Sequence, residues 1–360
     1  MELHKIGDEK ASREDAGGYR PLKGKAVPSV LRDLRSLSGK QVLDLVLQNE
    51  SPRDLVQRLS EDDFYWMVKK VGEEDCLHLL ELASEEQWQY LLDVEIWQKD
   101  RIDLLDTGQW LLRLYRADPR RLVRWLFEEA NDLAYFYLFK NIEVKVKGDD
   151  EIEELRDGYI SLDGVLYVKV LNQADREIIE GILRTMADED FLRYQALLTG
   201  LAGLLPAEAE EELYRLRNVR LAEHGFLPFE EALCIYTPLA PESLKRGQIP
   251  ELIESYLDEE IRNMVPVAPL FHTGIENLLM RVVHGTGDPV FLDRLRMEFA
   301  GLCNQILCAD GLSVEDFDDL IRVCRKAAGY LNLALERLSG DRMDSAEDVL
   351  RINYFDFLFR

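Results

Sequence analysis

The residues best suited to chemistry fall in one run, Arg215-Leu-Arg-Asn-Val-Arg-Leu-Ala-Glu-His-Gly-Phe-Leu-Pro-Phe-Glu-Glu231. Arg217 and Arg220 are three positions apart, so on a helix they share a face. Two guanidinium groups so placed could clamp a carboxylate or a phosphate. His224 precedes Gly225 and suits the last turn of that helix, where the dipole favours a cation. Glu230 and Glu231 fall in the first turn of the next helix. The candidate ligand-binding residues are therefore Arg217, Arg220, His224 and Glu231. The ordinary reading of the same residues is an interhelical ion pair plus complements to the helix dipoles.

Other chemistry has no motif to carry it. There is no G-x-S-x-G and no recognisable setting for a cysteine nucleophile. The nucleotide-binding patterns G-x-G-x-x-G and G-x-x-x-x-G-K-[ST] are absent. His284-Gly-Thr-Gly-Asp-Pro289 reads as a helix end followed by a proline-started helix. His224, His272 and His284 lie among carboxylates, but no H-E-x-x-H and no histidine pair four apart exists. A metal site would have to be assembled from separate segments. No catalytic residue and no cofactor is assigned, and the reading leans away from an enzyme.

These residues sit in a chain that reads as mainly α. Ser60-Glu-Asp-Asp-Phe-Tyr-Trp, Gly72-Glu-Glu-Asp-Cys-Leu-His and Ser84-Glu-Glu-Gln-Trp-Gln-Tyr align at a spacing of 12 residues. Ser60 with Asp63, and Ser84 with Gln87, match or approximate capping boxes, so each block is expected to start a short helix. The acidic residues of each first turn complement the dipole. Two turns of helix cannot bury an apolar face alone, so the blocks should stack as a small α-solenoid over about 40–100. Trp66, Trp88 and Trp97 are the candidate interaction surface of that stack.

Short acidic-capped helices of this form resemble the cytoplasmic N-terminal domain of MgtE-type magnesium transporters and the helical repeats of the flagellar motor switch protein FliG. The likeness covers residues 50–100 and implies a right-handed stack used for regulation or protein contact. The acidic residues that would hold magnesium in the transporter do not match position by position. The whole chain also resembles a bacterial family with no assigned activity, through RLRNVRLAEHGFLPFEEALCIY and the terminal FDFLFR.

After a second helical stretch over 108–140 the period changes. Ile142-Glu-Val-Lys-Val-Lys alternates, and residues 158–170 form a hairpin about Asp163-Gly164. This predicts a small β insertion near 142–170. Helices are expected over 174–187, 189–204, 207–223, 228–236, 251–264, 275–284, 288–308 and 313–338, the last capped by Ser313 with Asp316. A loop is expected over 237–250 and an extended run over 265–269. The aromatic tail from Arg351 to Arg360 either docks into the core or is where a longer chain has been cut. The expected organisation is a mobile arm over 1–28, a helical-repeat domain over 29–140 and an α-helical domain over 141–360 opened by the hairpin.

Composition limits the function classes. The 360 residues carry a formal charge of −25, which disfavours nucleic acid and anionic membrane surfaces. One basic run, Arg113 to Arg124, holds five arginines against that trend. No apolar window is long enough to span a bilayer, and the N-terminus lacks the apolar stretch of a secretory signal. The five cysteines form no C-x-x-C and read as reduced, mostly buried thiols of a cytoplasmic protein. The expected function is a cytoplasmic interaction or regulatory scaffold whose partner is another protein. The alternatives are an enzyme or small-molecule sensor with an anion or metal site around Arg217–Glu231, and a divalent-cation sensor. Self-association into a homo-oligomer is left open.

Overall fold

A computed structural model describes residues 27–146, 158–201, 205–240, 244 and 264–360. The arm expected over 1–28 lies outside these residues but for its last two. The loop over 237–250 and the helix over 251–264 also fall mostly outside them.

The N-terminal elements are α1 (Val27–Asp33), α2 (Gly39–Leu47), α3 (Pro52–Gln57), α4 (Glu61–Val71), α5 (Leu77–Leu82) and α6 (Glu85–Glu95). Their starts are set by local side chains. Ser38 and Ser84 each accept from the amide three residues on, and Gln41 and Gln87 return the bond, so both are complete capping boxes. Ser60 caps α4 by accepting from the Asp63 amide, but Asp63 returns no bond, so the box expected there is only half made, and Pro52 opens α3. The middle block departs from the expected period. Gly72 has no side-chain oxygen to cap with, and its φ of +97° ends α4 instead. The next helix starts only after Cys76, so two serine-capped starts 24 residues apart replace three starts 12 apart.

A two-residue hairpin, β1 (Trp97–Gln98) with β2 (Arg101–Ile102), leads to α7 (Leu104–Ala117), α8 (Pro119–Glu128) and α9 (Asn131–Asn141). Asp103 caps α7 and Asp118 caps α8. The β insertion is a three-stranded antiparallel sheet of β3 (Ile142–Val146), β4 (Tyr159–Ile160) and β5 (Leu166–Val170), in the order β3-β5-β4. Its register sets Ile142 against Val170 and Val146 against Leu166. One Asp163 oxygen accepts from the amides of Val165 and Leu166, and the other from Gln195 Nε2 at 2.9 Å. The turn is thereby tied to the helix that carries Gln195.

That helix is α11 (Phe191–Gly200), which follows α10 (Arg176–Glu189) and precedes α12 (Pro206–Ala222) and α13 (Phe229–Ala232). The remaining α-helices among the described residues are α14 (Ala268–Phe271), α15 (Leu278–Gly285), α16 (Pro289–Asp310), α17 (Phe317–Ser339), α18 (Met343–Ile352) and α19 (Phe355–Phe359). The cap of α17 is Asp316 with Asp319, three residues beyond the expected Ser313 cap. Ala268–Phe271 turns helical where an extended run was expected. The aromatic tail docks: Phe355, Leu358 and Phe359 are buried.

Nearly all the buried apolar residues form one continuous cluster from Leu31 to Phe359, crossing the boundary expected near residue 140. Trp66 and Trp88 lie inside it, not on a surface. Trp66 stacks on His272 and meets Phe317 edge-on. Trp88 packs against Trp125 and donates its indole N–H to Leu80 O at 3.0 Å. Trp97 is half-buried, with Arg217 over its ring and Tyr214 beside it. Trp88→Ala should therefore cost about 3–5 kcal/mol of stability. The exposed control Leu192→Ala should stay within about 0.5 kcal/mol. Urea unfolding followed by tryptophan fluorescence for the control and by far-ultraviolet circular dichroism for both checks this.

Candidate functional site

Helix α4 poses an electrostatic problem. Its sequence is EDDFYWMVKKV, yet Asp62, Asp63 and Lys69 are all buried along with its apolar residues. Buried charge is tolerated only with partners. Lys69 Nζ meets Glu95 at 2.8 Å and Glu73 at 2.9 Å, and Tyr65 donates to Glu95 at 2.7 Å. Burial pushes the Glu95 carboxyl up, and the Lys69 ammonium pulls it back.

The two aspartates reach across the chain. One Asp62 oxygen accepts from Tyr90 Oη at 3.0 Å and Asn304 Nδ2 at 3.1 Å. The other meets His224 Nδ1 at 2.7 Å. Burial lowers the His224 imidazole, but the hydrogen bond to Asp62 and its charge outweigh that, and the net shift is upward. Asn304 also donates to the His224 carbonyl at 2.8 Å. This pocket of contacts depends on a close approach of backbones. Gly225 has a φ of +82°, and a Cβ there would stand 2.6 Å from Gly301 Cα on α16. Asp63 accepts from the amides of Val267 and Ala268 at 2.8–3.0 Å, where α14 begins. Burial lifts its carboxyl from 3.8 to about 7, against the pull of those two amides.

Arg217 and Arg220 share a face of α12, as their spacing predicts, and both turn to Asp93 of α6. Arg220 forms a bidentate pair with the Asp93 carboxylate at 2.6 and 2.8 Å. Arg217 Nε donates to the Asp93 carbonyl at 2.6 Å. Burial raises the Asp93 carboxyl and the Arg220 pair restrains it. At the start of the same helix Glu210 accepts from Arg101 and from the Ile102 amide. Three of the four candidate residues thus lie on one seam, between α12 with its following turn and the stack of α4 and α6.

Glu231 lies elsewhere. It is exposed and borders an open groove of about 700 Å³ on the other face of α12, which Arg217, Arg220 and His224 do not line. Among the described residues, no group of three or more His, Cys, Asp or Glu is placed to hold a metal ion. His272 gives its Nε2 to the Leu31 carbonyl under Trp66, and His284 stacks near Phe271. The sequence reading missed Asp62, Asp63, Tyr90, Asp93 and Asn304. The first two read as ordinary first-turn acids, and only a fold could show that they are buried.

The seam makes two predictions. Arg220→Ala leaves the buried Asp93 carboxylate without its bidentate partner and should cost about 2–3 kcal/mol, below the about 3–5 kcal/mol of a fully buried pair because Arg220 is itself 40% exposed. A double-mutant cycle with Asp93→Ala in urea measures the coupling. The second concerns pH. Between 3.8 and about 7 the folded chain holds a proton on Asp63 that the unfolded chain has released, so this contribution falls as pH rises through that window. His224, also raised when folded, acts in the same direction above its ordinary value of 6.5. Asp63→Asn should flatten the decline in unfolding midpoint between pH 5 and pH 7 relative to the parent.

No curated protein and no solved structure matches the chain. Among the described residues no helix is long and apolar enough to cross a membrane. Residues 21–360, nearly the whole length, match one described family, and the chain belongs to it: the family of unknown function DUF6178.

Proposed function

We propose that the chain is a cytoplasmic protein-interaction or regulatory scaffold, whose contact face is the outer side of α12. One observation carries this reading. The polar groups that could do chemistry are spent on one another along the seam, while the opposite face of the same helix presents a groove with exposed apolar side chains. Val219 is 56% exposed there, beside Ala222 and Leu227. Apolar surface bordered by charge is what a protein contact uses. The five cysteines are all free thiols, which fits a reducing compartment. The likeness of residues 50–100 to contact and regulatory stacks points the same way.

The other readings draw less support. An anion clamp needs free guanidinium groups, and Arg217 and Arg220 already hold Asp93. A sensor of divalent cations has no cluster of donors to rest on among the described residues.

The test is a photo-crosslinking amino acid at position 219, with the still more exposed position 192 on α11 as the control. Irradiation in lysate of the source organism should give one dominant adduct from position 219 and none from 192. Equal or absent labelling at the two positions would refute the assignment of this face.

A further inference from the structure

We infer that the groove along α12 binds one basic, amphipathic helix of a partner protein, an inference that rests on the interaction reading above. The wall of the groove is a stripe at helical spacing: Glu208, Glu211 and Glu212, then Arg215, Asn218 and Val219, then Ala222. From 208 to 222 the helix rises about 21 Å, the length of about 14 residues of a second helix laid alongside. The facing wall comes from Phe226, Leu227 and Pro228, with Glu231 beyond. Phe226 also packs on Tyr90 at 6.4 Å between ring centres, so this wall is anchored to the core.

The groove is graded along its length. One end is acidic, and the other is mainly apolar with Glu231 at its edge. Arg215 is engaged by Glu212 at 2.7 and 2.8 Å. Among the described residues Glu208, Glu211 and Glu231 form no ion pair and are exposed. The complement is a helix with Lys or Arg towards one end and aliphatic or aromatic residues at i, i+3, i+4 and i+7 towards the other. Phosphate-bearing partners meet carboxylates here, so a lipid surface or a nucleic acid is disfavoured by charge. The arginine-rich helix α8 does not offer the same complement. In α8, Arg120, Arg121 and Arg124 are present, but Leu122, Val123, Trp125 and Leu126 are buried in the core. A second copy could present that helix only by unfolding it.

The experiment uses the full-length protein and three fluorescein-labelled peptides of 14 residues. One has arginines in its first half and leucine and phenylalanine on one face of its second half. One is a scramble of the same composition and charge, and one replaces each arginine by glutamate. Fluorescence anisotropy should show saturable binding of the first peptide in the micromolar range, at least tenfold weaker for the scramble and undetectable for the acidic peptide. Val219→Asp should weaken binding at least tenfold, and Glu208→Lys with Glu211→Lys should do the same and flatten its salt dependence. Circular dichroism melts check that both variants stay folded, as their exposed positions imply. Equal affinity for peptide and scramble, or binding indifferent to Val219→Asp, would overturn the inference. So would a concentration-dependent dimer in light scattering that Val219→Asp dissolves, because the occupant would then be a second copy. A specific crosslink at 219 without binding of the basic peptide would leave the contact face standing and remove this partner class. Failure of both would remove both.

Discussion

Helix α4 must be buried on every side while carrying two aspartates and a lysine, and the rest of the molecule is arranged to make that tolerable. Moving an ionised group out of water costs several kcal/mol unless hydrogen bonds and opposite charge replace the solvent. The replacements come from α6 through Tyr90 and Glu95, from the turn after α12 through His224, from α16 through Asn304, and from the start of α14 through its amides. Each of these elements is therefore positioned by a polar bond as well as by apolar packing. Apolar contact fixes that the helices collapse together, and these directional bonds fix which registers leave no charge stranded. Gly225 serves the same constraint, because only a residue without a side chain lets the turn approach α16 closely enough for Asn304 to reach both His224 and Asp62.

The third helical position of α4 and α6, both capped by serine, shows how one residue choice selects a neighbour. Gln87 has an amide, so its nitrogen can donate, and it reaches the carbonyls of Val56 and Leu59 at the end of α3. Asp63 can only accept when ionised, and it meets N–H groups where α14 starts. A helix end offers acceptors and a helix start offers donors. The pairing of each block with its neighbour follows from that polarity. It also explains the titration of Asp63. Two backbone dipoles do not fully replace water around a carboxylate that also lies beside Asp62, so its proton affinity rises even though its hydrogen bonds favour the charged form.

Much of the fold was legible because much of it is locally encoded. Ser84, Pro52, Asp118-Pro119 and Asp288-Pro289 mark helix starts with side chains within three residues of the bond they make. The alternation of 142–146 and Asp163-Gly164 marked the small sheet in the same way. The errors were local too. Gly72 resembles Ser60 and Ser84 in position but lacks the oxygen that a cap requires. Ser313 yields to Asp316, whose carboxylate bonds two amides of the first turn of α17. The seam was half legible. A shared face for Arg217 and Arg220 follows from their spacing. Their partner Asp93 is more than 120 positions away and Asn304 lies 242 from Asp62, and no local pattern records such a pairing.

Helix α12 turns two of its three arginines inward and three of its glutamates outward, while Glu210 bonds inward to Arg101 and Arg215 stays outside with Glu212. Arg217 and Arg220 turn inward to Asp93, while Glu208, Glu211 and Glu212 face out. The same withdrawal recurs elsewhere: Lys69, Arg113, Arg121, Arg294 and Arg296 are each mostly covered and each holds a carboxylate. Every such pair matches one cation to one anion, so it leaves the net charge of −25 unchanged. The excess carboxylates are then spread over a surface with fewer compensating cations. An arginine is the cation best suited to this internal use, because its planar fork bonds a carboxylate or two carbonyls while its weakly hydrated face lies on an aromatic ring. Arg121 over Trp88 and Arg217 over Trp97 show both functions at once. The acidity of the outer face of α12 is thus the other side of the bonds that hold its inner face to the core.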